Sequence, residues 1–252
     1  MTPRISLPLL ALSISALLGG CQNLDSSALL QSGAQAFQAA TLTDEQVKTL
    51  SNQSCEQMDK EAQIAPANSA YTQRLNKIAD ALGHDINGTP ANYKVYLTKD
   101  VNAWAMANGC IRVYSGLMDM MTDNEVEGVL GHEMGHVALG HTRKAMQVAY
   151  AATAARSAAS SAGGVAASLS QSQLADLGEK LVNAQFSQIQ EQQADDYSFD
   201  LLKKRGLKRE GLATSFEKLA KLDAGRESSM FDSHPASEER AKHIRERIAA
   251  EK

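Results

Sequence analysis

His132 and His136 stand four residues apart, and no other feature constrains the chain as tightly. On a helix, side chains at that spacing are close neighbours on one face. The flanks agree with a helix. Thr122-Asp123-Asn124-Glu125 has the pattern of a capping box, Val126, Val129, Leu130 and Val137 supply an apolar stripe, and Gly140 is a terminator. On such a helix both imidazoles can face one zinc ion at about 2.0–2.1 Å. Glu133, one residue along, lies beside the open coordination position. There it can act as general base toward an attacking water. Two histidines that merely decorate a helix surface are the plainer alternative.

A catalytic zinc site of this kind needs a third protein ligand. His141 is one candidate. A metzincin would carry Gly at 139 and His at 142, where this chain has Leu139 and Thr142. His141 follows Gly140, past the expected helix end, and reads better as a cap or charge at the helix C-terminus. Glu191 is the other candidate, in Glu191-Gln192-Gln193-Ala194-Asp195. Glu191 and Asp195 are again four apart. One carboxylate can bind metal while the other orients a ligating histidine from behind. A solvated acidic helix face is the competing reading, and spacing alone leaves both open.

The N-terminus sets the compartment. Met1–Arg4 is short and basic, and Ile5–Leu18 is an apolar run of signal-peptide length. It ends in Leu18-Gly19-Gly20-Cys21, which resembles the bacterial lipobox, with Cys21 acylated. Gln22 in place of Asp favours the outer membrane, by resemblance to other lipoproteins. An oxidising periplasm permits a disulfide between Cys55 and Cys110, with two unpaired buried thiols as the alternative. Such a bridge would contribute roughly 4 kcal/mol in the chain-entropy model. Neither cysteine has zinc-site spacing. A net charge of -4 without a basic run excludes a nucleic-acid partner.

Along the chain, residues 1–20 read as the lipoprotein signal, 21–65 as a lipid-anchored tether with an N-terminal helical segment, and 66–252 as a peptidase domain. Thr43 caps a helix expected to reach about Ile64, and Asn68 begins a second that ends at Gly83. Tyr93–Thr98, Trp104–Met106 and Ile111–Tyr114 are short strands, the last two around the Asn108-Gly109 turn. Residues 150–169 form an Ala/Ser/Gly segment, either a close-packed helix or a mobile lid. A long helix is expected over Ser172–Arg205, then shorter ones over Arg209–Leu222 and Ser237–Ala250.

The two four-residue pairs, in this order, resemble the zinc metalloproteases that include HtpX and the CAAX prenyl proteases. Asn102-Ala103-Trp104-Ala105 is similar to that family's Asn-Ala-Phe-Ala segment, and Ser233-His234-Pro235 with Arg240 to its His-Pro…Arg segment. Met106-Ala107-Asn108-Gly109 departs from the family's Pro-Gly-Gly, and Gln188 stands where Arg is frequent.

The resemblance implies a mainly α protein with a small β-sheet, zincin-like, binding one Zn2+ per chain through His132, His136 and Glu191. It makes Glu133 the base and puts Asp195 behind a ligand. His234 and Arg240 enter the catalytic set. Asn102–Ala105 becomes an edge strand for extended peptide. The expected function is a zinc endopeptidase at the periplasmic face of the outer membrane. Its substrates would be misfolded or assembling proteins, and its partners other proteases or assembly machinery. A zinc-bound envelope chaperone with little proteolysis is the alternative; an intact Glu133 argues against it.

Overall fold

The computed structural model describes residues 42–158, 169–223, 230–234 and 238–251. Helix α1 (Asp44–Glu61) starts at Thr43, whose hydroxyl accepts from the Gln46 N–H while the Gln46 side chain accepts from the Thr43 N–H. It stops three residues before the expected Ile64. Ala62 turns to extended backbone, and Ile64 instead forms a β-bridge with Tyr96. Helix α2 (Ala70–Leu82) is capped by Ser69, not Asn68, and buries Leu75, Ile78 and Leu82. A two-residue turn at Asn87-Gly88 joins the short strands β1 (Asp85–Ile86) and β2 (Thr89–Pro90).

The three-stranded sheet has order β3-β5-β4, with β3 Asn92–Tyr96, β4 Ala103–Ala105 and β5 Cys110–Tyr114. Central β5 runs parallel to β3 and antiparallel to β4. The Met106 and Tyr114 N–H groups donate to Cys110 and Asn102, which makes the even-numbered residues of the β4 segment the bonded ones. Ala103 and Ala105 therefore turn their backbone groups toward the open edge.

A short helix, α3 (Ser115–Met120), leads into α4 (Asp123–Ala138). The capping box at Thr122 and Glu125 is formed. Helix α5 (His141–Ala158) follows at once, and residues 159–168 of the Ala/Ser/Gly segment lie outside the described region. The single helix expected over Ser172–Arg205 is two, α6 (Gln171–Val182) and α7 (Gln188–Lys204). Ser187 is the reason for the break. Its hydroxyl accepts from the Gln190 N–H, the Gln190 side chain bonds back, and this capping box starts a new helix inside the polar stretch. Helices α8 (Glu210–Asp223), α9 (Met230–Ser233) and α10 (Glu238–Ala250) complete the fold.

Helix α4 runs through the main core. Val126, Val129, Leu130 and Met134 are buried among residues of α2, the sheet, α7, α8 and α10. Two of its glycines permit unusually close approach. A Cβ on Gly135 would lie 3.0 Å from the Ala194 Cα of α7, and one on Gly128 would lie 2.7 Å from the Leu212 Cα of α8. Hydrogen at Gly135 lets α7 dock against α4 along the segment that carries Glu191 and Asp195, and hydrogen at Gly128 lets α8 approach the same helix. No helix among the described residues is long and apolar enough to cross a membrane.

Candidate metal centre

Helix α4 presents His132, Glu133 and His136, all at most 2 % exposed. Helix α7 presents Glu191 and Asp195, and the residue after α9 presents His234. The ligand atoms of His132, His136, Glu191 and His234 all lie within 4.8 Å of one another. His132 Nε2 is 3.0 Å from His136 Nε2 and 3.3 Å from His234 Nδ1. Glu191 Oε1 is 3.2 Å from His136 Nε2 and 3.0 Å from His234 Nδ1. A tetrahedral zinc ion with bonds near 2.0–2.1 Å separates its ligands by about 3.3 Å. The donor set, its chemistry and its spacing therefore fit such an ion.

The surrounding groups hold this set in place. His132 turns its other nitrogen, Nδ1, to Asp195 Oδ1 at 2.8 Å. The Arg240 guanidinium donates to both Asp195 oxygens at 2.6 and 2.7 Å and lies 2.6 Å from Glu191 Oε2. It also sits over the Phe216 ring, 4.1 Å from its centroid, which supports a desolvated cation. Phe186 covers His136, with ring centroids 3.9 Å apart. Glu133 Oε1 accepts no hydrogen bond and faces His234 Nε2 at 3.5 Å.

The electrostatics follow from burial and these neighbours. Burial pushes the Glu133 carboxyl above its ordinary value, against the pull of His234 and His132. Burial disfavours an ionised Glu191 too, but His234, His132 and His136 outweigh it and hold the carboxyl far below the usual range. Asp195 is likewise depressed, its burial overcome by Arg240 and His132. Burial also pushes His136 well down, toward the neutral imidazole that ligates metal.

Of the residues singled out in the sequence, the structure brings His132, Glu133, His136, Glu191, Asp195, His234 and Arg240 together. Asn102, Ala103 and Trp104 are buried and Ala105 partly so, in the β4 segment packed on α4. Cys55 and Cys110 are joined in a disulfide, their Cα atoms 6.6 Å apart, in a separate cluster with Tyr96, Trp104 and Met106. Cys21 lies outside the described residues.

Sequence reasoning passed over Phe186 and the glycines at 128 and 135. The glycines and Ala194 carried a signal, since small residues on facing helices mark close approach. His141 is no member of the ligand group; its Nδ1 lies 3.1 Å from His136 Nδ1. Cavities of about 280 and 340 Å³ flank the cluster. One is lined by Glu191, Asp195 and Arg240, and the other by His141, Phe186 and apolar residues of α5 such as Val148.

Residues 67–248 match the model of peptidase family M48. The chain is 68% identical to Metalloprotease LoiP of Escherichia coli over 98% of both chains. It is 60% identical to Metalloprotease YcaL of the same organism, over 97% of this chain and 98% of that one. It is 28% identical to the Beta-barrel assembly-enhancing protease of Escherichia coli, a match covering 70% of this chain and 38% of that protein. The family match spans every residue of the buried cluster.

Proposed function

Because this chain belongs to peptidase family M48 and is a metalloendopeptidase, we propose that it hydrolyses peptide bonds of envelope proteins, with one zinc ion held by His132, His136 and Glu191 and with Glu133 as general base. The observation that carries this reading is the convergence of buried ligand atoms at tetrahedral spacing beside a buried, unbonded carboxylate oxygen. A zinc ion in that set would supply Lewis acidity toward a peptide carbonyl and a nucleophile near neutral pH.

The chain's own residues do the rest. Glu133 accepts a proton from the attacking water and passes it to the leaving amine. Its elevated proton affinity suits both halves of that transfer. Asp195 fixes the His132 ring, so that Nε2 is the free nitrogen. Arg240 keeps Asp195 ionised against its burial and braces it to Glu191. An extended substrate pairs with the outward backbone groups of Ala103 and Ala105, adding a strand beside the Asn102–Ala105 segment.

His234 supports a second element. As a fourth side chain in the ligand set it would fill the position that water needs, which makes the described arrangement a latent one gated by His234. Removing the imidazole in His234→Ala should raise or alter cleavage, and an unchanged rate would remove the gate.

The lipobox-like Leu18-Gly19-Gly20-Cys21 supports an acylated Cys21 and an outer-membrane anchor facing the periplasm, with 66–252 as the peptidase domain. The Beta-barrel assembly-enhancing protease among the relatives supports misfolded or assembling outer-membrane proteins as substrates and the assembly machinery as a partner.

The test is cleavage of an unfolded periplasmic protein by zinc-loaded wild type and Glu133→Ala. The wild type should cut, and the variant should keep its metal and fall by roughly 10²–10⁴-fold. Equal cleavage by the two would remove Glu133 as the base. A wild type that binds unfolded chains without cutting them would favour the chaperone alternative.

A further inference from the structure

The two histidines of α4 are held from behind in different ways. His132 Nδ1 meets a carboxylate, Asp195, that is itself clamped by Arg240. His136 Nδ1 meets His141 Nδ1 at 3.1 Å, and His141 Nε2 meets Gln193 Oε1 at 3.2 Å. The protons in this second chain can be assigned from its ends. A nitrogen that ligates metal carries no proton, so His136 with Nε2 in the site bears its proton on Nδ1 and donates there. The facing His141 Nδ1 must then be the acceptor. A neutral imidazole that accepts at Nδ1 donates at Nε2, and Gln193 Oε1 is an acceptor. Every atom along the path has a role that its partner requires.

We infer that His141 is a positioning residue for the metal centre, a neutral relay from His136 to Gln193 that fixes the tautomer and orientation of the second metal-binding histidine. This rests on the reading of His136 as a metal ligand. The relay also ties three elements together. His141 opens α5 directly after Gly140, His136 ends the metal-binding stretch of α4, and Gln193 lies between Glu191 and Asp195 on α7. Glu191 and the ring it must meet are thus held to a common frame. Phe186 lies over His136 and keeps water from its ring, so His141 is the polar partner that Nδ1 has among the described residues. His141 itself is 7 % exposed. The asymmetry has a consequence for charge. A neutral partner leaves His136 a weaker electron donor than the carboxylate-backed His132. An ion held there would keep more of its positive character than two carboxylate-backed histidines would leave it.

The experiment compares full-length wild type with His141→Leu, His141→Gln and Gln193→Leu. Zinc affinity is read by competition with a chromophoric chelator, and ligand geometry by the visible absorption of the Co2+-substituted protein. His141→Leu fills the space without an acceptor and should weaken zinc binding about 10–100-fold with a changed Co2+ spectrum. His141→Gln restores an acceptor and should recover most of the affinity. Gln193→Leu, at an exposed position, should lower affinity a few-fold; it also reads the relay if His141→Leu does not fold. A His141→Leu protein that binds zinc like the wild type, or a Gln193→Leu protein indistinguishable from it, overturns the relay. A wild type that takes up no zinc overturns the metal site and the relay with it.

Discussion

Among the described residues, the charged cluster around Asp59 and the one on α4 and α7 are built on opposite terms. Around Asp59 of α1 the accounts close. Its carboxylate accepts from Arg112 at 2.8 and 2.9 Å, from Lys94 at 2.6 Å and from the Tyr96 hydroxyl at 2.7 Å. The remaining Arg112 donors go to the Asn92 and Ile111 carbonyls and to Cys55 Sγ. The disulfide beside it locks α1 to β5. Around α4 and α7 the terms are left open. Glu133 Oε1 accepts no hydrogen bond, Glu191 Oε2 is met by the Arg240 guanidinium, and four ligand atoms of one cluster point at a shared space. A buried carboxylate oxygen without a partner is costly, and at Glu133 a reaction that needs it gives the reason for keeping it. A satisfied buried network reads as structure and an unsatisfied one as function.

That contrast can be broken experimentally. Chelation has the largest expected effect. Stripping metal should abolish cleavage of an unfolded protein while leaving the disulfide-linked corner folded, and added zinc should restore the activity. Cleavage that survives exhaustive chelation would contradict the account. Removing the staple comes next. Replacing Cys55 and Cys110 by Ser should cost about 4 kcal/mol of stability by the chain-entropy argument, measured by urea unfolding, with cleavage per folded molecule unchanged. Asp59→Ala should cost on the order of 3 kcal/mol, since it leaves the buried Arg112 guanidinium without its carboxylate.

The same group gives a pH signature. Burial alone would raise Asp59, but Arg112, Lys94 and Tyr96 outweigh it and hold the carboxyl below its ordinary value. A carboxyl held lower in the folded chain contributes stability above its unfolded pKa, and loses it as pH falls through the folded value. Thermal stability should therefore be flat from neutral pH to about 5 and fall below about 4, less steeply in Asp59→Ala than in the wild type. The smallest effect belongs to Gly135→Ala. Its methyl group would meet Ala194 of α7 at 3.0 Å, which should cost about 1–3 kcal/mol and weaken zinc binding by moving Glu191.

Local signals in the sequence anticipated much of this, and long-range ones did not. The α4 helix was legible because its cap, apolar stripe and terminator are all within one stretch of chain. Glu191 and Asp195 were legible as a pair, but their distance from α4 depends on Gly135 meeting Ala194, a contact between residues 59 positions apart. The break between α6 and α7 did have a local signal, Ser187 with Gln190, lost in a polar run that a helix could also have accepted. The parallel pairing of β3 with β5 had none, because a crossover contact leaves no mark in either strand. Arg112 is 1 % exposed in the middle of the central strand, where alternation gives no warning of a buried cation. His234 enters the cluster from beyond α9, and only family resemblance pointed to it. His141 was weighed as a ligand or a cap, while the structure puts it behind a ligand instead.

The central claim is that the unsatisfied cluster is a zinc site completed by Glu191 of α7. Metal analysis of purified wild type and Glu191→Ala, each dialysed against the same zinc-buffered solution, tests it most directly. The account predicts one zinc per wild-type chain and a small fraction of that in the variant, with both proteins folded. Full zinc content in Glu191→Ala, or none in the wild type, would contradict it.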